Sequence, residues 1–507
     1  MSESKFSLLK NLLTPSILDS IFVVLLIFII FYDQGAQILK DGDTGFHIMT
    51  GRYILDNLQF PSHDVFSYTS YGKEWVAFSW ATGVLFALMD NLAGLNGVVL
   101  LNLLVLLATF YIIYRLLMRC NINFYLMVFS MVCLISLTSI HWLARPHLFT
   151  ILFMALLFYM LEIARENKKI YYFIPLIILL WVNFHPGFIS GFFLLGAYIA
   201  GNIIEYLIAK AEDRKRHLHT ARIISMTMLA SVFVTILNPY GFKLYAYIYN
   251  TLTSYWIVNA TREYLSPNFH NNFSVIVYGL VAGILIMAGL LSQRRVLDIP
   301  KILILLLWMH LSLFASRNIA LFGIVAIPCM ALMVQNVIDS LDLQSLKDKS
   351  EKLLVSERSL KCHFWPALIF IITVIIILNN GYFLDKKILA CDFSPEKMPV
   401  NAMKFIEKNP VKGNILNHDN WGGYLIYRYP DIKVFMDGRL DMYQQKFLDD
   451  YQRVITLKPG WQEVLIQHNI DWALIKRNTL LRNFLLHHPD WFKVYEDNVT
   501  TIFILNK

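Results

Sequence analysis

The sequence predicts a polytopic all-α membrane protein of about eleven transmembrane helices with a C-terminal extracytoplasmic α/β domain. Three observations predict it. The 507 residues are 57% hydrophobic, 14% aromatic and only 16% charged, with mean hydropathy +0.51, which leaves too little polar surface for an ordinary soluble fold. The apolar residues gather into runs near the length that crosses a bilayer, at 17–32, 96–117, 123–140, 147–164, 170–184, 188–208, 223–237, 273–291, 301–315, 318–338 and 364–381. From about residue 385 that pattern stops, and short β-rich stretches alternate with helical ones.

Lys5 and Lys10 precede the first apolar run, and no small-x-small cleavage motif follows it, so 17–32 reads as a retained first span. The loop 33–95 comes next. Within it 78–89 is apolar but short and is followed by "DNLAGLNG", which suits an interfacial or re-entrant helix. With the amino terminus inside and this stretch (78–91 at its widest) not spanning, every inner connection is basic. The outer connections after the first then hold only Arg145, Lys243, Arg262 and Arg317. Counting the stretch as a span reverses the downstream helices and breaks that rule. The net charge of +8 is therefore explained by topology, and nucleic-acid binding is excluded as a function class. The five cysteines form neither a disulfide framework nor a CxxC metal site.

On this assignment the inner segments "KAEDRKRHLHTAR" and "KDKSEKLLVSERSLK" are plain charged loops, whereas "HWLARPH", "NFHPG", "NPYG", "ATREYLSPNF" and "SRN" fall outside. Residues 1–384 form the transmembrane domain and 385–507 the soluble one. The latter is expected to have strands at 413–417, 432–436, 472–475, 492–496 and 500–505 and helices at 400–408, 442–456, 461–468 and 479–487. No internal repeat is visible.

Candidate chemistry collects on the outer face. In "KDGDTGFHIMTGRYILDN" (40–57), Asp41 and Asp43 flank a glycine, and 44–56 reads as a short helix with Asp43 near its amino end, where free N–H groups favour an ionised carboxylate. That position suits an N-cap. It equally suits a carboxylate that takes a proton from an acceptor hydroxyl or helps hold a divalent cation. His47 follows one turn later on the same face. His63 and Asp64 follow a proline and read as turn residues. Arg145 sits between two histidines, where it either snorkels to headgroups or clamps a phosphate with its planar fork; Arg262 and Arg317 join it on a cation-poor face as a candidate anion site. His185, at a helix break, lines a polar cavity or caps a span. Glu263 is a salt-bridged loop residue or a second acceptor-facing carboxylate. In 413–443, His418, Asp419 and Trp421 precede a Gly422–Gly423 turn, and Asp437, Gly438 and Arg439 end the next strand. Aromatic, amide and carboxylate side chains there suit a sugar or peptide acceptor, with a hydrogen-bonded domain core as the equal alternative for Asp437.

The inside amino terminus, acidic first outer loop, interfacial helix and soluble outer tail resemble the GT-C superfamily of polyprenyl-phosphate-dependent glycosyltransferases, which includes protein O-mannosyltransferases, aminoarabinose transferases and oligosaccharyltransferase catalytic subunits. "DTGFHIMTGRYIL…FPSHDVFSYT", "RPHLFTILFMALLFYML", "RNIALFGIVAIP" and "WGGYLIYRYPDIKVFMDGR" are similar to a bacterial subgroup of such transferases. The resemblance implies a GT-C-like fold in the bacterial inner membrane, with a cytoplasmic amino terminus and a periplasmic C-terminal domain. It implies transfer of a sugar from a polyprenyl phosphate to an extracytoplasmic glycan, lipid or protein acceptor. Asp43 would be the first-loop acidic residue, with Asp41 as its alternative, and a divalent cation stays an open requirement. The Asp-Gly-Asp spacing departs from the paired acidic motif of the mannosyltransferases, and "HDNWGGY" only echoes the oligosaccharyltransferase WWDYG. The alternative function is a transporter, flippase or assembly factor for a lipid-linked glycan. Against it, the polar groups sit at one face rather than at mid-bilayer.

Overall fold

The computed structural model describes residues 13–270, 278–279, 281–283, 298–360 and 363–506. Among them, five helices are long and apolar enough to cross a membrane: Trp80–Arg119, Phe124–His141, His147–Ala164, Pro186–Ile208 and Ser316–Ser340. Two shorter apolar helices, Ile17–Tyr32 and Ile299–Phe314, accompany them. Helices also occupy Ile174–Phe184, Ala211–Val234 and Phe364–Leu378. The expected run 273–291 lies largely outside the described residues.

Eight helices carry the candidate residues or pack around them: α1 (Asp43–Asn57), α2 (Trp80–Arg119), α3 (His147–Ala164), α4 (Ile189–Ile208), α5 (Lys243–Thr253), α6 (Ile299–Phe314), α7 (Ile319–Ser340) and α8 (Asp419–Arg428). Helix α2 is two helices in one. Its backbone leaves the helical region at Ala93 and Gly94, and Gly94 takes φ 59°, a left-handed value suited to glycine. The break separates the apolar stretch at 80–92 from the long segment beyond it, so that stretch has an axis of its own.

Two expectations for the inner face are corrected. "KAEDRKRHLHTAR" is no loop but the first half of helix Ala211–Val234, and "KDKSEKLLVSERS" lies in helix Gln344–Ser359. Lys, Arg, Glu and Gln are strong helix formers, and Glu212 and Asp213 fall in the first turn, where the helix dipole favours acids.

The C-terminal unit is a four-stranded sheet of β1 (Asn414–Asn417), β2 (Ile470–Lys476), β3 (Trp491–Glu496) and β4 (Thr500–Leu505), in the order β1-β2-β4-β3. Strands β1 and β2 are parallel and the other pairings antiparallel. The helix expected at 400–408 forms as Val400–Lys408. The expected strand at 432–436 does not form; its one bridge is Ser67 to Val434, made with the first loop instead of the sheet.

Nor is Gly422–Gly423 a turn: both glycines lie inside α8. Their role is close approach. A Cβ on Gly423 would overlap the Gly42 carbonyl, and one on Gly45 would overlap the Gly423 carbonyl, so α8 lies directly on the start of α1. Further contacts join the same two regions. Tyr68 Oη donates to the Ile415 carbonyl at 2.9 Å and Thr69 Oγ1 to that of Phe435 at 2.6 Å. Trp75 packs in one apolar cluster with Phe435, Met436 and Trp461. First loop and C-terminal unit are thus interlocked, and that junction carries the site.

Candidate functional site

A cavity of about 430 Å³ lies where α1, the 141–147 segment, the 185–193 corner, α5, the end of α6, the start of α7 and the turn 438–441 meet. It takes residues from both the membrane helices and the C-terminal unit.

Asp43 occupies the first turn of α1 and lines the cavity. It is not the N-cap: Gly42 holds that place, and the Asp43 N–H donates to Asp41 Oδ1 at 3.0 Å, which leaves the Asp43 carboxylate free of capping duty. Gly438 abuts that carboxylate so closely that any side chain on it would overlap Asp43 Oδ1. Burial, reinforced by Asp41, holds the Asp43 carboxyl well above the ordinary carboxylate range, with Arg145 pulling the other way. Arg145 is fixed by its neighbour. The Ala144 N–H donates to the Ile38 carbonyl at 2.9 Å, and the Ala144 carbonyl accepts from Thr44 Oγ1 at 2.9 Å. The Arg145 fork then reaches Asp41 at 3.1 Å and Asp43 at 3.3 Å, with 27% of its side chain exposed. Asp41 stands behind this arginine, outside the cavity lining.

His47, one turn after Asp43, also lines the cavity; burial and Arg145 hold it neutral by pushing its pKa well down. His185 Nδ1 accepts from the Gly187 N–H at 3.0 Å and is 2.8 Å from Thr150 Oγ1, whose own acceptor position takes the Trp181 indole N–H at 2.9 Å. That network assigns the proton to His185 Nε2, a donor on a cavity-lining ring. Glu263 and Arg317 form a longer pair at 4.0 Å, with the Arg317 guanidinium 4.4 Å from the Tyr264 ring centroid. Burial would raise Glu263, yet Arg145 and Arg317 bring it down to about 2, so it stays ionised.

Arg439 lines the cavity as well; its Nε and Nη2 are engaged, while its buried Nη1 has no hydrogen-bond partner among the described residues. Nε and Nη2 bind Asp437 at 2.8 and 2.6 Å, and Nη2 also meets Asp64 at 2.8 Å. The guanidinium lies 4.5 Å from the Trp75 ring and 5.1 Å from that of Phe66. Asp64 does form the expected turn, accepting the Phe66 and Ser67 N–H groups at 3.1 Å, and it holds this clamp too.

Several candidates stand elsewhere. Trp421 is wholly buried in the core, its indole N–H donating to the Lys397 carbonyl at 2.9 Å; its bulk fills space between α8 and the segment before Val400. Asp437 is enclosed by its Arg439 pairing, which matches the core alternative. His418 and Asp419 pair with each other at the start of α8, and Arg262 is exposed; none of the three lines the cavity. Conversely, sequence reasoning missed Asp441 and Tyr247, whose hydroxyl donates to the Asp441 carboxyl across 194 residues. Burial lifts Asp441 to about 7. The one available signal was the acid-rich "MDGRLDMY". Among the described residues no group of three His, Cys, Asp or Glu side chains is placed to hold a metal ion. The Arg145 guanidinium answers the charge of Asp41 and Asp43.

No protein-family profile matches the chain, and no curated protein matches its sequence. Among solved structures, the crystal structure of the Archaeoglobus fulgidus oligosaccharyltransferase in its apo form matches with TM-score 0.55 and 11% identity. The match covers 90% of this chain and 69% of that one. At this identity the likeness shows the fold alone, that of an oligosaccharyltransferase-like membrane protein.

Proposed function

We propose that the protein transfers a sugar from a polyprenyl-phosphate donor to an extracytoplasmic acceptor. One observation carries the reading: within an oligosaccharyltransferase-like fold, a single cavity gathers a buried carboxyl of raised pKa, Asp43, and two arginines, Arg145 and Arg317, held only by longer pairings.

Those groups suit an inverting displacement. The acceptor oxygen attacks the anomeric carbon, the bond from that carbon to the phosphate oxygen breaks, and the acceptor proton passes to Asp43. Only the ionised carboxylate can take that proton; Arg145, 3.3 Å away, favours this form, and the raised pKa makes it a stronger base than an ordinary carboxylate. The leaving phosphate gains charge as the bond breaks, and Arg145 and Arg317 supply preorganised donors for it. Arg262, exposed and outside the lining, drops from the donor site. Phe193, Leu252 and Phe314 line the cavity yet are 48%, 52% and 63% exposed, which suits an apolar opening for an isoprenoid between α4, α5 and α6. The volume matches a sugar phosphate and the first part of its tail, well within the range of about 300–1,000 Å³ usual for small-molecule sites.

The test is Asp43→Asn in cells supplied with a labelled sugar that enters the polyprenyl-phosphate pool. Transfer into extracytoplasmic material should fall by about 10²–10⁴, the usual contribution of a general base, at an unchanged protein level. Transfer at the wild-type rate rejects Asp43 as the base.

A further inference from the structure

The two oxygens of Asp43 face different neighbours. Oδ2 meets the Arg145 guanidinium at 3.3 Å, whereas Gly438 packs closest to Oδ1. Directly after Gly438 the chain turns: the Met442 N–H donates to the Arg439 carbonyl at 3.0 Å, which places Asp441 at the third position of a four-residue turn. Three peptide units separate Asp441 from Gly438, so their Cα atoms lie within about 11 Å of each other. One pyranose ring with its hydroxyls bridges that span.

Asp441 is not enclosed like the acids near it. Asp64 and Asp437 are buried and closed around Arg439, while Asp441, Tyr247 and Phe78 are half-buried and line the cavity. The Tyr247 hydroxyl donates to Asp441 Oδ2, and the Tyr247 and Phe78 rings are 5.8 Å apart at 47°. The first loop, α5 and the C-terminal turn thus bring two aromatic rings, a hydroxyl and a carboxyl to one wall. Among the described residues no cation pairs with Asp441. Because Arg439 is balanced by Asp64 and Asp437, Asp441 makes this end of the cavity acidic, in contrast to the end that holds Arg145 and Arg317. A carboxyl and a phenol read hydroxyl groups, and ring faces pack on pyranose C–H groups.

We propose that Asp441, Tyr247 and Phe78 form the acceptor subsite and that the acceptor is a neutral saccharide. The inference rests on the transferase reading, since it calls the bound molecule the acceptor. A sugar ring seated on this wall brings one hydroxyl to Asp43 Oδ1 from the side of the turn and leaves the Arg145 side to the departing phosphate. Asp441 accepts from a second hydroxyl of the same ring, and Phe78 and Tyr247 cover its apolar face.

The test titrates the purified full-length protein in nanodiscs at pH 8 with maltotriose, cellotriose, mannotriose and chitotriose, with trigalacturonate as the anionic probe and a hexapeptide of alanine, asparagine, threonine and serine as the peptide probe. At least one neutral trisaccharide should bind, and Asp441→Asn should weaken it by about tenfold, the loss of one charge-assisted contact, without a fall in thermal midpoint. Tyr247→Phe, which keeps the ring, should give a smaller loss of the same sign. A merely structural Asp441 would lose affinity only together with its midpoint. No binding of any neutral trisaccharide, equal affinity of wild type and Asp441→Asn, a loss seen only with a lowered midpoint, or an equal weakening of trigalacturonate or of the peptide by Asp441→Asn overturns the proposal. Failure of the transferase reading is read separately, from unchanged transfer by Asp43→Asn, which leaves these binding outcomes as they are.

Discussion

Arg145 and Arg439 face the same cavity, each against two carboxylates, yet they are built for opposite purposes. Arg439 is 2% exposed, bound twice to Asp437 and once to Asp64 at 2.6–2.8 Å and boxed by aromatic rings. Among the described residues, its two carboxylates pair with no other cation. Arg145 keeps 27% of its side chain exposed and holds Asp41 and Asp43 singly at 3.1 and 3.3 Å. The first arrangement fastens the C-terminal turn to the first loop. The second suits a fork that trades a carboxylate for a phosphate, because its existing pairings are single and longer and part of its side chain stays exposed. The same residue type is thus a fastener in one place and a partly exposed cavity group in the other, and depth and pairing make the difference.

That contrast can be broken. The largest expected effect is on folding: Arg439→Ala leaves Asp64 and Asp437 buried without a cation and should destabilise the protein by about 3–5 kcal/mol, seen as a large fall in thermal midpoint in detergent. Arg145→Gln should shift that midpoint far less; equal falls would erase the distinction. Next, Arg145→Lys should keep the fold and lower transfer by about ten- to a hundredfold, since a point charge does not replace a planar fork that spans two oxygens. A smaller effect belongs to Asp441. Its folded-state carboxyl titrates at about 7, while an unfolded one loses its proton near pH 4. Between those values the folded state binds the extra proton, so stability falls as pH rises through that window. Asp441→Asn should therefore gain thermal midpoint over the wild type at pH 8 and show little difference at pH 4, read by thermal scans at both pH values. Smallest is Tyr247→Phe, which removes one hydrogen bond to Asp441 and should cost about 1 kcal/mol in the same scans.

Much of the fold was legible because apolar runs and period-two stretches report burial directly. β4 was expected at 500–505 and forms as Thr500–Leu505, and the helix at 400–408 forms as Val400–Lys408. Misreadings came where a residue's partner is distant. Gly422 and Gly423 look like a turn in isolation, and only the nearby backbone of Gly42, Met436 and Asp437 explains glycine inside a helix. Residues 432–436 have strand composition but meet the first loop. The charged connectors were read for topology while their helix-forming composition went unused. At the site, Asp43, His47, Arg145, His185, Glu263 and Arg317 stood out as polar groups at the ends of apolar runs, and all line the cavity. Asp441 and Tyr247 lacked that setting. The clamp of Asp64 on Arg439 spans 375 positions of sequence, which no local pattern encodes.

The central claim is that the Arg145 and Arg317 end of the cavity holds the phosphate of a lipid-linked sugar. Mass spectrometry of lipids that co-purify with the full-length protein tests it directly. A polyprenyl-phosphate sugar should be bound to the wild type and depleted from Arg145→Gln with Arg317→Gln at equal protein yield. A wild type that carries no polyprenyl species, or a variant that retains it in full, would contradict the claim.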